Sequence, residues 1–275
     1  MVIEIGRAGL RGSLAAAAVA IAGLFAGLVL PVRGVAEDAA SPMRIAAAAD
    51  LQPVLPPLIA QFEQLHPGQA VMATYQSSAT LATQIEGGAP FDLFLAADLS
   101  FPQRVIAAGF GDAAQPVAYA QGTLVLWARK DSRFQPLGMG VLSDPELKTV
   151  AIANPEHAPY GRAAKAAITS LGLADRLQGK IVGAENIAQA AQFVDSGNAE
   201  VGFISLTSAL TERLRADGTY VEVPASAYPP IVQGAVVVKG SAHVGLAREF
   251  LAFLLSPAVQ RQLAGMGLKA PGAAR

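Results

Sequence analysis

Cysteine is absent from the 275 residues, which excludes a disulfide framework, a thiolate metal site and a lipidated cysteine able to tether the chain. Charge is scarce too. Asp, Glu, Lys and Arg make up 15% of the residues and leave a formal net charge of -1, so no basic surface field exists of the kind that DNA or RNA binding needs. Aromatic residues reach only 6%, with a single tryptophan, and Trp127 and the few tyrosines read as core or rim residues rather than a stacking platform. His66, His157 and His243 are scattered, without an i, i+4 partner or a cysteine to complete a metal site. No G-x-S-x-G elbow, P-loop or G-x-G-x-x-G is present, so the common nucleophile and nucleotide signatures are missing and nothing marks an enzyme. Asp92 and Asp98 lie six apart on one strand, roughly 20 Å from each other at about 3.3 Å per residue. That is too far for an acid/base pair, and each reads as a loop or helix cap.

What the chain has in abundance is apolar residues, 52% of the total, enough for the core of one large domain or two modest ones. The N-terminus carries Arg7 and Arg11, then an uncharged apolar run from Leu14 to Val32, then Gly34, Val35 and Ala36. A basic start, an apolar middle and a small-residue exit are the parts of a secretory signal over residues 1–36, with cleavage after Ala36. An uncleaved membrane anchor is the rival reading, because the apolar run is just long enough to span a bilayer. Export without cysteines fits a bacterial periplasm.

From Met43 onward strand-like runs alternate with helix-like segments, the pattern of an α/β fold with largely parallel sheets. Strands are expected at 44–48, 70–75 and 91–97, with helices at 51–65, 79–86 and 99–108 between and after them. A second series has strands at 123–128, 149–153, 180–182 and 201–205 and helices at 161–170 and 187–195. The chain then returns through 231–239 into helices at 244–255 and 257–266. A chain that builds one lobe, then a second, then comes back makes two lobes with a cleft between them. The boundaries read as 43–122 plus 240–275 for the first lobe and 123–239 for the second, with hinge crossings near 120–125 and 230–238.

Four strand-to-helix turns open with small or polar residues: Ala49-Asp50-Leu51, Ser77-Ser78-Ala79, Pro159-Tyr160-Gly161 and Glu185-Asn186-Ile187. Helix N-termini expose unpaired N–H groups and carry about half a positive charge, so they can hold an anion without Lys or Arg. Any one of them can be an ordinary capped helix. Their force lies in number and placement, two from each lobe.

The series Ser77-Ser78-Ala79-Thr80-Leu81, Gly88-Ala89-Pro90-Phe91-Asp92-Leu93-Phe94 and Ala97-Asp98 resembles the periplasmic molybdate-binding proteins. The segments Asn154-Pro155-Glu156-His157-Ala158-Pro159-Tyr160-Gly161 and Ala184-Glu185-Asn186-Ile187 are similar to that family's second-lobe motifs, and the likeness spans Arg44 to Leu268. The resemblance implies a type II periplasmic-binding fold that closes on molybdate or tungstate and is recognised by an ABC permease, with no catalysis, no cofactor and no metal cation site. It implies a monomer in which Ser78 gives its hydroxyl and N–H, and Tyr160 and Ile187 each give a backbone N–H.

The pattern breaks twice. Asp50 stands where the family usually has serine, and an ionised carboxylate about 4 Å from a dianion costs roughly 8 kcal/mol at an effective dielectric of about 20. The expectation is that Asp50 points away and caps its own helix by accepting from the Gln52 N–H. The sharper reading is that it takes a proton, or selects a different small solute such as another oxyanion or a hydroxylated organic acid. Ser205 stands where some relatives place a tyrosine that reaches the anion, so its contact is the weakest of the set, and the Tyr160 hydroxyl is the candidate replacement.

Overall fold

The computed structural model describes residues 41–272; the secretory signal read in residues 1–36 lies outside them. Ten strands divide equally between two sheets. The first has the order β2-β1-β3-β10-β4, with β1 Met43–Ala48, β2 Val71–Gln76, β3 Leu93–Ala96, β4 Val117–Gly122 and β10 Ile231–Val237. The second has the order β7-β6-β8-β5-β9, with β5 Leu124–Arg129, β6 Val150–Ala153, β7 Ile181–Ala184, β8 Val201–Ser205 and β9 Gly218–Glu222. In each sheet the central strands run parallel, β1 with β2 and β3, and β6 with β7 and β8. Strands β10 and β5 run antiparallel to their neighbours.

Helices cover both faces of the first sheet. One face packs against α1 (Leu55–Leu65), α9 (Val244–Leu255) and α10 (Pro257–Gly265) through Leu58, Phe62, Phe250 and Leu263; the other packs against α2 (Ser78–Glu86) and α3 (Ser100–Ala107) through Leu81, Ile85, Phe101 and Val105. The second lobe has one apolar core around Trp127, Phe203 and Val194, built with α4 (Pro159–Ser170), α5 (Ala174–Leu177), α6 (Ile187–Asp195), α7 (Leu206–Ala209) and α8 (Glu212–Asp217). Strands buried on both faces explain the continuous apolar runs that mark them in the sequence.

Two expectations need correction. The helix expected from Leu51 opens instead as a 3-10 turn at Ala49–Leu51, and α1 begins at Leu55. Pro53, Pro56 and Pro57 crowd this stretch, and proline supplies no N–H to continue a helical ladder but is accepted in a first turn. The strand at Ile231–Val237, assigned to the second lobe by the boundary 123–239, lies inside the first sheet, hydrogen-bonded between β3 and β4. A return strand that is nearly all apolar finds its burial in the middle of a sheet rather than at a hinge.

Candidate functional site

The four turns singled out in the sequence sit at the carboxyl ends of β1, β2, β6 and β7, where parallel strands open onto a crevice. They meet in one small space between the lobes, lined by Asp50, Ser78, Ala97, Tyr160, Asn186 and Ile187 among others. Larger hollows open on the surface, one beside Arg44, Asp92 and Lys239, but the cleft gathers helix N-termini from both lobes. No Lys, Arg or His lines it among the described residues.

Each donor is set by its element. Ser77 caps α2 by accepting from the Thr80 N–H, which makes Ser78 the first helical residue, with an N–H that has no partner inside the helix. The Ser78 hydroxyl oxygen accepts from the Ala97 N–H at 3.0 Å. One lone pair is thereby used, and the hydroxyl hydrogen is left to donate elsewhere. Helix α4 opens with Pro159, which needs no acceptor, and its N-cap Ala158 offers no side chain, so the Tyr160 N–H lies in an uncapped first turn. Asn186 caps α6 by accepting from the Gln189 N–H at 3.0 Å and leaves the Ile187 N–H as the first helical donor. Asp50, Ser78, Tyr160 and Ile187 are thus brought together on one cleft.

Asp50 does not turn away. It is fully buried, and the Gln52 N–H goes to the Ala49 carbonyl at 3.2 Å instead, so the capping role is corrected. Its Oδ2 accepts from the Tyr160 hydroxyl at 3.1 Å and from Gln233 Nε2. The Tyr160 hydroxyl therefore serves Asp50 and is not the spare donor expected for an anion. It sits where a side chain on Gly122 would stand, 2.1 Å from that position, so β4 must end in glycine for the two lobes to meet here. Burial pushes the Asp50 carboxyl up to about 6, against the lowering effect of hydrogen bonds from Gln233, from Tyr160 and from its own backbone. Burial, and then the Asp50 charge, hold the Tyr160 phenol well above its ordinary value, so it stays a donor.

Ser205 is not in the cleft lining. It caps α7, accepting from the Ser208 N–H, and its Oγ lies 2.9 Å from both Thr207 Oγ1 and Ser208 Oγ. Thr207 donates its own proton to the Asp50 carbonyl at 2.7 Å, so Ser205 supports the cleft only through Thr207. Serine is too short to reach further. Two contributors escaped the sequence reading, Gln233 and Thr207. Gln233 had a signal, as the lone polar side chain before Gly234 in the run Ile231–Val237. Asp92 and Asp98 are structural: Asp92 accepts from the Arg44 N–H and the Ser241 hydroxyl, and Asp98 accepts from the Ser100 and Phe101 N–H groups at the start of α3.

The lobes also touch outside this space. The Ala79 N–H donates to the His157 carbonyl at 3.1 Å, and Arg162 of α4 pairs with Asp98 of the first lobe.

Two α/β lobes that meet around a small space lined by helix N-termini from both define a solute-binding protein of the periplasmic type. The chain belongs to the bacterial extracellular solute-binding protein family, whose model matches residues 43–269. It is 35% identical to the molybdate-binding protein ModA of Azotobacter vinelandii over 79% of this chain and 86% of that one. It is 36% identical to the molybdate-binding protein ModA of Rhodobacter capsulatus over 89% of this chain and 92% of that one. The solved periplasmic molybdate-binding protein of Azotobacter vinelandii superposes with a TM-score of 0.75 at 32% identity, covering 83% of this chain and 99% of that chain. The family binds solutes and is not a family of enzymes.

Proposed function

We propose that this protein captures molybdate, and tungstate with it, in the periplasm and delivers it as a monomer to an ABC permease in the inner membrane, residues 1–36 serving as its export signal. The observation that carries the reading is the convergence of α2, α4 and α6, from both lobes, on a cleft that no Lys, Arg or His lines among the described residues. Unpaired N–H groups at helix starts favour an anion through both hydrogen bonding and the helix dipole. Ser78 adds a hydroxyl whose acceptor side is already engaged. Donors from two lobes can be satisfied together only when the lobes are closed, and a closed form gives a permease something distinct to recognise. The names of the most similar relatives point to the same cargo.

Calorimetry of the purified protein with molybdate, tungstate and sulfate tests the reading. Tight binding is expected for the first two and weaker binding for sulfate, a smaller anion that leaves donors unmatched. Ser78→Ala should weaken molybdate binding roughly 10- to 150-fold, the worth of one hydrogen bond to a charged group. Absence of heat with all three oxyanions sinks the reading. The competing cargo is a hydroxylated organic acid whose O–H pairs with Asp50. It draws support from Asp50 Oδ1, which has no hydrogen-bond partner, and is checked by adding such acids to the same screen.

A further inference from the structure

Two buried side-chain atoms among the described residues have no hydrogen-bond partner, Asp50 Oδ1 and Gln233 Oε1. They belong to the same pair, because Gln233 Nε2 already donates to Asp50 Oδ2. Both orphans are acceptors, and two acceptors cannot satisfy each other. Leaving either one bare in the interior is costly. A single proton on Asp50 Oδ1 removes both faults, because the acid O–H then donates to Gln233 Oε1 while the amide N–H donates back to Oδ2. The result is a closed ring of two hydrogen bonds between a carboxylic acid and a carboxamide.

Resting on the oxyanion reading above, we propose that Asp50 stands beside the bound anion as a neutral acid closed onto Gln233, so that the dianion enters together with one proton. The surroundings permit it. Asp50 faces the Tyr160 hydroxyl from α4, Gln233 from β10 and the Thr207 hydroxyl at its own carbonyl, with Tyr119 of β4 held well above its ordinary value by burial and by the Asp50 charge. The Tyr228 phenol adds to the upward push on Tyr160. The ion pair Arg162–Asp98, partly exposed at the edge of the lobes, already neutralises itself. Among the described residues no Lys, Arg or His lines the cleft to keep Asp50 ionised once a dianion occupies it. The anion's own charge disfavours the carboxylate further. An anion that brought its proton to Oδ1 would satisfy that atom but leave Gln233 Oε1 bare, which favours the acid–amide ring.

Calorimetry of molybdate binding in buffers of different ionisation heat, on either side of pH 6, counts the protons taken up. Wild type should take up close to one proton per anion above about 6, its affinity falling about tenfold per pH unit there. Asp50→Asn, whose side-chain amide reproduces the acid's donor and acceptor toward Gln233, should take up none and keep the low-pH affinity at every pH. A carboxylic acid C=O stretch, present in the infrared spectrum of the wild-type complex and missing from Asp50→Asn, is the third expected result. Binding without proton uptake overturns the proposal and leaves the oxyanion reading standing. Uptake that persists in Asp50→Asn, or a carboxylate band that persists in the complex, also overturns it, the latter placing the proton on the anion. Only the absence of heat with every oxyanion, in both proteins, removes the function and the proposal together.

Discussion

At the scale of single residues, Asp50 also has a consequence for stability without any ligand. Burial holds its carboxyl at about 6 in the folded chain, against 3.8 for the same group in water. A folded state that binds the proton more tightly than the unfolded one is favoured at low pH. The sign is therefore fixed: the contribution is fully present below 3.8 and is lost as pH rises through about 6. Its size is on the order of 3 kcal/mol, at about 1.4 kcal/mol for each pH unit between the two values. Denaturant unfolding of the unliganded protein should find Asp50→Asn more stable than wild type by an amount that grows as pH rises through this interval and then levels off. A gap that stays constant with pH would mean the carboxyl titrates as it does in water. The residue was legible from sequence as an anomaly, with taking a proton among its readings, but its partners were not. A carboxylate at the start of a helical turn is read by local rules as a cap, whereas its real partners, Tyr160 and Gln233, lie 110 and 183 residues away in the chain.

At the scale of elements, the start of α4 depends on how closely it approaches β6. A side chain on Gly161 would lie 2.2 Å from the Ala153 carbonyl oxygen, so only glycine lets Tyr160 sit in the first helical turn against the strand end. Gly161→Ala should lower stability by roughly 1–3 kcal/mol through overpacking, seen as a lower thermal midpoint, and should weaken anion binding by displacing the Tyr160 N–H. An unchanged midpoint would mean that the strand end yields freely. The strands and helices of the parallel units were readable because each is an apolar run ended by glycine, proline or a capping residue; α6 at Ile187–Asp195 and β8 at Val201–Ser205 fall where the pattern put them. Strand β4 was missed because it runs into β5 with only Thr123 between them. No turn chemistry marks the place where the chain leaves one sheet for the other. The short helices α5, α7 and α8 are too brief to show a period, and β9, half-exposed along one side, lacks an unbroken apolar run.

At the scale of the whole molecule, the lobes meet through the hydrogen bonds of Asp50 to Tyr160 and Thr207, the Ala79–His157 bond and an ion pair. The Arg162–Asp98 pair is the one salt bridge between them among the described residues, and the Arg162 guanidinium also lies 5.1 Å from the centre of the Phe101 ring. Arg162→Met keeps the side-chain stem and removes the charge. Anion affinity should fall at most about fivefold, as befits a partly exposed pair, with the denaturation midpoint unmoved. Calorimetry that finds no change would exclude the pair from holding the closed form.

The place of β10 has a further consequence, for the order in which the molecule is assembled. The first sheet cannot be complete until residues 231–237 are available, because β10 separates β3 from β4. The second sheet draws all its strands from residues 124–222, one uninterrupted stretch. Contacts that span nearly the whole chain form slowly, since the loop must be closed before they reward it. During synthesis the later-made lobe is therefore the first able to finish folding, and the N-terminal three strands must wait, with an unfilled sheet edge, for the chain to come back.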